Sequence, residues 1–289
     1  MFKKIFNGDT LFELIKCLII ILTIVVSVYP LLYIFSVSIS DPIEVMKGNV
    51  VLWPKGFCLD SYKEVMKNPN IITGYVNTVI YVVVGTALSV AVTTLGAYAL
   101  SNKRLIFRKF FNKMFVFTMF FSGGMIPTYL VIKWCGLLNS MWSFLLMGAV
   151  SVYNLIVMRS FFEGLPKELE ESAFIDGAND LRVFFSIIMP CSKAIISTMV
   201  LFYAVGIWNS FLWPFLLLDD KAKYPLQVVL RQIIISGDTK MSNSTSDVST
   251  LPETIKYATI FFSVLPILCV YPFVQKYFVK GVMIGGVKG

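Results

Sequence analysis

Long stretches without a charged residue constrain this chain more than any other feature of its sequence. Six runs of 19 to 35 residues contain no Asp, Glu, Lys or Arg, and the next longest run contains 10 residues. A helix needs roughly 20 residues, at about 1.5 Å each, to cross a hydrocarbon core about 30 Å thick. The six runs are residues 17–40, 68–102, 114–132, 134–158, 194–218 and 257–275. They predict an all-α integral membrane bundle with six transmembrane helices.

The composition also indicates that lipid solvates much of the chain. Hydrophobic residues make up 57% of the sequence and charged residues only 15%, whereas soluble proteins contain about 25% charged residues. The apolar runs lack the alternation of a membrane β-barrel, so helices are the expected spanning form. The chain contains no His, which removes the commonest metal ligand. Its five cysteines are far apart and fit apolar packing better than a disulfide or a metal site.

The distribution of basic residues predicts how the chain is oriented in the membrane. If both termini lie inside, the inner segments hold 15 Lys and Arg residues and the outer segments hold 10. The short basic loop 103–113 is the strongest indicator, because the positive-inside bias acts in short loops. We therefore expect a multi-pass protein of a bacterial plasma (inner) membrane with both termini in the cytoplasm. The net charge of +8 then faces the inner leaflet, and no nucleic-acid partner is needed to explain it.

This orientation assigns every segment between the runs to one side of the lipid bilayer. Residues 1–16 and 281–289 are expected to be cytoplasmic segments that flank a six-span domain, residues 17–280. Two long outer loops cover residues 41–67 and 219–256. A long inner loop covers residues 159–193, and it contains the most informative part of the sequence.

The inner segment 163–190, called the knob below, has the signals of two short helices joined by a glycine. A proline and three glutamates open its first half, and Gly177 suits a left-handed helix cap. A second helix can begin after Asn179 or Asp180 and stop at Pro190. Two short helices that meet at a glycine would project into the cytoplasm in a shape suited to a partner. The alternative is an ordinary cytoplasmic loop.

The second half of the inner loop resembles the signature loop of ABC-importer membrane subunits. That signature reads E-A-A, three residues, G, nine residues, I-x-L-P, and its Glu, second Ala, Gly, Ile and Pro stand here at the same spacing. Ser and Met replace the first Ala and the Leu, and both replacements keep the size class. The matching residues that we expect to meet a partner are Glu171, Ser172, Ala173, Asp176, Gly177, Ala178 and Pro190.

Two further stretches resemble the carbohydrate branch of the same family. The sequence WNSFLWPF at 208–215 is similar to the fifth-span pattern of that branch. The ending at 280–289 resembles the C-terminal tail of the second membrane subunit of maltose-type importers. Within the branch, the chain is most similar to permeases for oligosaccharides or polysaccharide fragments.

The resemblance implies that the knob docks into a cleft on a cytoplasmic ATPase dimer. Ala173 and Gly177 would let the surface of the ATPase approach closely, and Glu171 and Asp176 would accept hydrogen bonds or pair with basic groups. ATP and Mg²⁺ would act in the ATPase, and this chain would bind no cofactor and no metal itself. The family also implies a sister permease subunit, so that a heterodimer forms the path. An extracellular or periplasmic solute-binding protein would deliver the solute to the outer loop 219–256.

The tail resembles a segment that inserts between the two ATPase subunits. Four glycines in the last nine residues indicate that the tail is not a stable helix. The tail residues expected at the ATPase are Gly285, Gly286 and Lys288. The alternative is a frayed terminus.

The fifth run contains the residues that we expect to line a carbohydrate path. Asn209 is a polar group in apolar surroundings, and such groups usually face protein or water rather than lipid. Trp208 and Trp213 would offer stacking faces to a sugar, and Asn209 would offer hydrogen bonds. The alternative for these three residues is interfacial anchoring or helix packing.

The sequence excludes several other functions. The chain has no GK dipeptide and hence no Walker A loop, so it does not hydrolyse ATP itself. The motif HExxH is impossible without His, and no G-x-S-x-G is present, which argues against an intramembrane enzyme. The remaining alternatives are a channel, receptor or scaffold, which would not bind an ATPase, or an importer for a peptide or a polyol phosphate.

Overall fold

The computed structural model describes the backbone of residues 8–243 and 251–286, and within these ranges the regular structure is helical. An isolated bridge joins Ser40 and Phe57. The α-helices are α1 Gly8–Ser38, α2 Pro42–Met46, α3 Asp60–Lys67, α4 Pro69–Ser101, α5 Arg108–Phe120, α6 Met125–Trp134, α7 Trp142–Met147, α8 Val152–Glu163, α9 Glu168–Ile175, α10 Asp180–Val183, α11 Met189–Cys191, α12 Lys193–Trp208, α13 Leu212–Leu217, α14 Leu226–Asn243 and α15 Leu251–Gly286. A π-helical turn, Phe184–Ile188, connects α10 to α11, and a 3₁₀ turn covers Lys221–Lys223.

Two helices in the described residues are long and apolar enough to cross a bilayer without a break. They are Leu11–Ser38 within α1, and α4, which contains 33 residues. Side chains 11–32 of α1 are exposed, as expected for a helix surrounded by lipid or by a partner. The sixth apolar run lies within α15. These observations confirm the all-α membrane architecture that the sequence predicts.

The third, fourth and fifth apolar runs are broken, contrary to the expectation of one continuous helix for each. The third run bends by 117° between α5 and α6, where Gly124 adopts a φ of +87°. The fourth run breaks between α7 and α8, where Ser151 caps the new helix. The fifth run breaks at Asn209, which ends α12. Glycine and small polar residues favour such breaks, because they adopt or stabilise non-helical backbone.

The contacts divide the chain into two units, Met1–Ile71 with Leu230–Pro266, and Ile72–Val229 with Ile267–Gly289. In the first unit, α1 packs on α15 through the ring pairs Tyr33–Tyr257 and Phe35–Phe261, with centroids 5.7 and 5.0 Å apart. The second unit contains the knob and the fifth apolar run, in which the sequence places the expected path residues. Its core joins α4, α8, the knob and α12, through residues that include Ala97, Leu155, Met158, Val183, Ile188 and Met199.

Candidate functional site

The knob is built around the left-handed turn at Gly177. The φ of Gly177 is +78°, and its N–H donates to the carbonyl oxygen of Phe174 at 3.1 Å. The N–H of Ala178 reaches back to the carbonyl oxygen of Ala173 at 2.9 Å. These two bonds form a Schellman motif, which ends α9 and satisfies carbonyl groups of its last turn. The prediction of two short helices that meet at a glycine is confirmed.

The second helix of the knob begins where the sequence predicts and stops close to its predicted end. The side chain of Asn179 caps it by accepting the N–H of Arg182 at 2.9 Å. The helix then passes through the π-helical turn and α11 to Cys191, after which the chain bends by 83° into α12. The helix thus ends one residue after Pro190, and the predicted end is confirmed to within one residue.

Ala173 and Gly177 differ in their surroundings. The Ala173 side chain is 8% exposed and belongs to the core that contains Val183 and Phe184. Its small size therefore serves packing within this chain, and the expectation that Ala173 faces a partner is wrong. Gly177 is exposed, and a Cβ added to it would meet no atom of the described residues within 4 Å. Within the chain, only its positive φ calls for glycine.

The knob carries exposed apolar side chains around Gly177. Ile175 is 86% exposed, Leu181 is 64% exposed and Phe185 is 61% exposed. The predicted polar residues Glu171 and Asp176 are exposed on the same segment. Large apolar side chains on a charged segment outside the apolar runs are a feature of protein–protein interaction sites. Ser172 is exposed as well, and its hydroxyl bonds only the Leu169 carbonyl within its own helix, at 3.3 Å.

Ionic contacts link the knob to the basic inner loop. Arg108 pairs with Glu163 through its guanidinium, and its Nε donates to the carbonyl oxygen of Leu100 at 2.8 Å. The Arg104 guanidinium carbon lies 5.6 Å from the ring centroid of Phe174, in a cation–π arrangement. These contacts place the loop between α4 and α5 against the base of the knob. The knob is therefore connected to both α4 and α5.

Glu170 lies on the side of the knob that faces this basic loop. Burial raises the pKa of the Glu170 carboxyl above its ordinary value, and the charge of Asp180 raises it further, whereas Arg104 opposes both effects. The folded knob therefore disfavours the ionised form of the Glu170 carboxyl group.

A cavity of about 370 Å³ lies where two of the helix breaks meet. One break separates α7 from α8, and the other separates α12 from α13. In membrane transporters, discontinuous helices of this kind often surround solute sites, because their free backbone groups need polar partners. The lining residues are Phe144, Leu145, Met147, Gly148, Ser151, Asn154, Phe202, Tyr203, Gly206, Ile207, Ser210 and Trp213.

The cavity combines apolar walls with a few polar groups. The Tyr203 hydroxyl is fixed by Thr93 Oγ1 at 2.6 Å and accepts the N–H of Ser151 at 3.0 Å. Asn154 is only 6% exposed, and its side-chain amide makes no hydrogen bond within the described part of the chain. None of the lining residues is charged. The amide atoms keep some accessible surface, which opens on the cavity, so a solute or water there can satisfy Asn154.

Only one of the three predicted path residues reaches this cavity. Trp213 lines it. Asn209 is exposed, and its amide donates to the carbonyl oxygen of Val205 in its own helix at 2.9 Å. Trp208 is buried and packs edge-on against Tyr75, with ring centroids 6.2 Å apart. The sequence reading missed the polar residues of the fourth run, although a Ser and an Asn three residues apart in a charge-free run are themselves a signal.

The end of the chain differs from the prediction for the tail. Helix α15 continues to Gly286, so Gly285 and Gly286 are helical, and the expectation that the glycines prevent a helix is wrong at these positions. Each glycine costs about 1 kcal/mol relative to alanine, but extending an existing long helix needs no new nucleation. Lys288 lies outside the described residues.

Known proteins resemble this chain over nearly its whole length. Residues 94–284 match the family described as "Binding-protein-dependent transport system inner membrane component". Protein LplC of Bacillus subtilis (strain 168) is 44% identical over 266 residues, which cover 91% of this chain and 90% of that protein. The polygalacturonan/rhamnogalacturonan transport system permease protein YtcP of the same strain is 42% identical over 286 residues, which cover 97% of this chain and 99% of that protein.

A solved structure has the same fold. It is the crystal structure of a bacterial ABC transporter involved in the import of the acidic polysaccharide alginate. One of its chains superposes with a TM-score of 0.86 and 35% identity, over 94% of this chain and 98% of that one. These similarities confirm the resemblance carried by the knob. The chain belongs to the family of binding-protein-dependent transport system inner membrane components, the non-catalytic permease subunits of ABC importers.

Proposed function

We propose that this chain forms half of the translocation path of an ATP-driven importer for an oligosaccharide. The observation that carries the proposal is the exposed apolar surface of the knob, formed by Ile175, Leu181 and Phe185 around Gly177. This surface suits a protein partner on the cytoplasmic side. The partner is an ATPase dimer, which binds ATP and Mg²⁺, while this chain binds neither.

The knob is connected to the helices of the second unit in a way that suits force transmission. Its inner face belongs to one core with α4, α8 and α12. Its base is joined to α5 through the Arg108–Glu163 ion pair. When ATP closes the ATPase dimer, the docked knob moves and these helices move with it. The path then opens outward toward a loaded binding protein, and hydrolysis resets it.

The cavity supports a carbohydrate as the solute. An amide and hydroxyl groups can exchange hydrogen bonds with sugar hydroxyls, and the indole of Trp213 offers an apolar face to a sugar ring. YtcP is named for polygalacturonan and rhamnogalacturonan, and the structural relative serves alginate. We therefore assign an oligosaccharide fragment of such a polysaccharide to this chain.

The same proposal also covers the orientation of the chain in the membrane and its partners. Both termini lie in the cytoplasm, and the protein spans the bacterial plasma membrane six times. A sister permease completes the path as a heterodimer, and a solute-binding protein meets the outer loops 41–67 and 219–256. In the first of these loops, backbone bonds from Asp41 to Lys55 and from Cys58 to Ile39, each 2.9 Å, hold an ordered surface.

Co-purification tests this proposal. The chain is expressed with its sister permease and the ATPase, and the variant Ile175→Glu is compared with the unchanged chain. We expect Ile175→Glu to lose most of the ATPase, because a charge replaces the most exposed apolar side chain of the knob. Ile106→Glu is the matched control, since Ile106 is 74% exposed in the basic inner loop and lies outside the knob. Full retention of the ATPase by Ile175→Glu would overturn the docking assignment.

A further inference from the structure

A second cavity, of about 680 Å³, lies between α5 and α8 and has no role in the proposed transport mechanism. It is a groove open along the surface of the second unit. Its lining residues are Asn112, Lys113, Val116, Phe117, Phe120, Phe121 and Arg159. One end of this set is basic, and the other end is aromatic. This amphipathic arrangement suits a ligand with an anionic end and an apolar end.

The aromatic end of the groove is apolar and exposed. Phe120 is 83% exposed and Phe121 is 64% exposed. Phe117 stacks on Phe121 with ring centroids 5.2 Å apart, so the two rings form one continuous wall. These residues lie up to eight positions beyond Lys113, which is about 12 Å along a helix. The wall therefore extends from the basic end toward the interior of the membrane.

The basic end of the groove has more positive than negative charge. Arg159 donates from Nη1 to Asn112 Oδ1 at 2.6 Å, and its Nε lies 3.4 Å from the Glu163 carboxylate. That Nε is buried and makes no hydrogen bond. Glu163 is also paired with Arg108, so two guanidinium groups share one carboxylate. Lys113 is exposed and forms no ion pair in the part of the chain that is described.

We propose that this groove binds an anionic phospholipid of the inner leaflet. The phosphate would contact Lys113 and Arg159, and an acyl chain would lie along Phe117 and Phe121. Basic pockets between helices on the cytoplasmic side are suited to anionic headgroups, and a guanidinium matches the geometry of a phosphate. The proposal relies on the orientation given under Proposed function, which places the start of α5 at the cytoplasmic surface.

Charge complementarity favours a lipid over an apolar helix of the sister subunit. A helix without acidic residues would leave Lys113 unneutralised in a closed groove, with Arg159 sharing one carboxylate with Arg108, which costs free energy. A phospholipid supplies the negative charge and the hydrocarbon in one molecule. Since Arg159 also contacts Glu163 at the end of α8, a bound phosphate would lie one helical turn from the base of the knob.

Lipid retention by the purified complex tests the proposal without measuring transport. The complex is loaded with dioleoyl phosphatidylglycerol or with dioleoyl phosphatidylcholine, and the retained lipid is counted by native mass spectrometry. We expect preferential retention of phosphatidylglycerol, and about fivefold weaker retention in Lys113→Gln and in Arg159→Gln. Inorganic phosphate at millimolar concentration should not displace the lipid, because it has no acyl chain to fill the groove.

Lys109→Gln is the matched control, because it removes the same charge as Lys113→Gln. Lys109 is exposed on the same helix but does not line the groove. Equal retention of both lipids, or equal losses in Lys109→Gln and Lys113→Gln, would overturn the proposal. If Arg159→Gln fails to assemble, Lys113→Gln decides alone. A photo-crosslinking residue at position 117 gives an independent readout. Adducts with lipid support the proposal, and adducts with the sister subunit contradict it.

Discussion

The hydroxyl groups of Tyr203 and Thr93 lie 2.6 Å apart, in a hydrogen bond that joins α12 to α4 beside the 370 Å³ cavity. The Tyr203 oxygen also accepts the N–H of Ser151, where α8 begins. One side chain therefore fixes three helices around the cavity. Tyr203 is only 6% exposed, so bulk solvent has little access to these bonds.

Removing this hydroxyl should destabilise the second unit. We expect Tyr203→Phe to cost about 1–3 kcal/mol, because it leaves the Ser151 N–H and the Thr93 hydroxyl without their partner. Thermal unfolding of the purified complex measures the loss. Tyr153→Phe is the control, since Tyr153 is 57% exposed and forms no side-chain hydrogen bond in the described residues. Equal unfolding temperatures for the two variants would contradict the role given to Tyr203.

Replacing Asn154 should weaken solute import without lowering the stability of the protein. Because the Asn154 amide makes no hydrogen bond within the described residues and opens on the cavity, Asn154→Leu removes no protein hydrogen bond and should leave the unfolding temperature unchanged or raise it. The same change should raise the KM of import about fivefold, the equivalent of one lost hydrogen bond of about 1 kcal/mol. Uptake of labelled oligosaccharide into vesicles measures this. Asn209→Leu makes the same change outside the cavity, and an equal loss of uptake there would contradict a role specific to Asn154.

Gly177 should be required for its backbone conformation. Gly177→Ala forces an alanine into a φ of +78°, which costs about 1–2 kcal/mol, and we expect faster amide hydrogen exchange in α9 and weaker solute-stimulated ATPase activity. Gly177→Asn should be milder, since Asn tolerates this region better. Gly164→Ala serves as the control, because Gly164 has a φ of −85°. If all three variants behave alike, the turn at Gly177 does not determine coupling.

Glu170 should make the stability of the knob depend on pH. Its pKa lies above the ordinary value of 4.5, chiefly because of burial. The folded state therefore binds this proton more tightly than the unfolded state does, so the contribution of Glu170 to stability falls as pH rises through the raised pKa. We expect Glu170→Gln to gain unfolding temperature over the unchanged chain from pH 4.5 toward neutral pH. Glu168→Gln, which removes the same charge from an exposed position on the same helix, is the control. If the unfolding temperatures of Glu170→Gln and the unchanged chain differed by the same amount at every pH, the result would contradict this effect.

Much of the fold followed from charge and spacing alone. The runs without charge located α1, α4 and α15, and the Gly177 turn with Asn179 after it located the two helices of the knob. Breaks inside an apolar run were harder to predict, because the two polar residues between α12 and α13, Asn209 and Ser210, do not interrupt the charge-free run. Those breaks depend on local backbone conformation and on bonds such as that from Ser151 to Tyr203, which lie 52 residues apart in the sequence.

The functional residues also divide into those that the sequence predicts and those that only the structure reveals. The knob was predictable because its motif is contiguous, whereas the cavity draws on residues of separate helices whose meeting depends on tertiary packing. Trp213 was found by its type, but Asn154 and Tyr203 acquire their significance only from what surrounds them. The burial of Ala173 shows the limit of motif reading, since a small residue serves internal packing as readily as a partner's approach.

Photo-crosslinking at the knob tests the central claim most directly. A benzoylphenylalanine replaces Ile175 in the assembled importer, and its adducts are identified by mass spectrometry in sealed vesicles. The account predicts an adduct with the ATPase, because Ile175 is 86% exposed at the tip of the docking segment. An adduct with the external binding protein would contradict the account, since it would place the knob on the opposite side of the membrane from the ATPase.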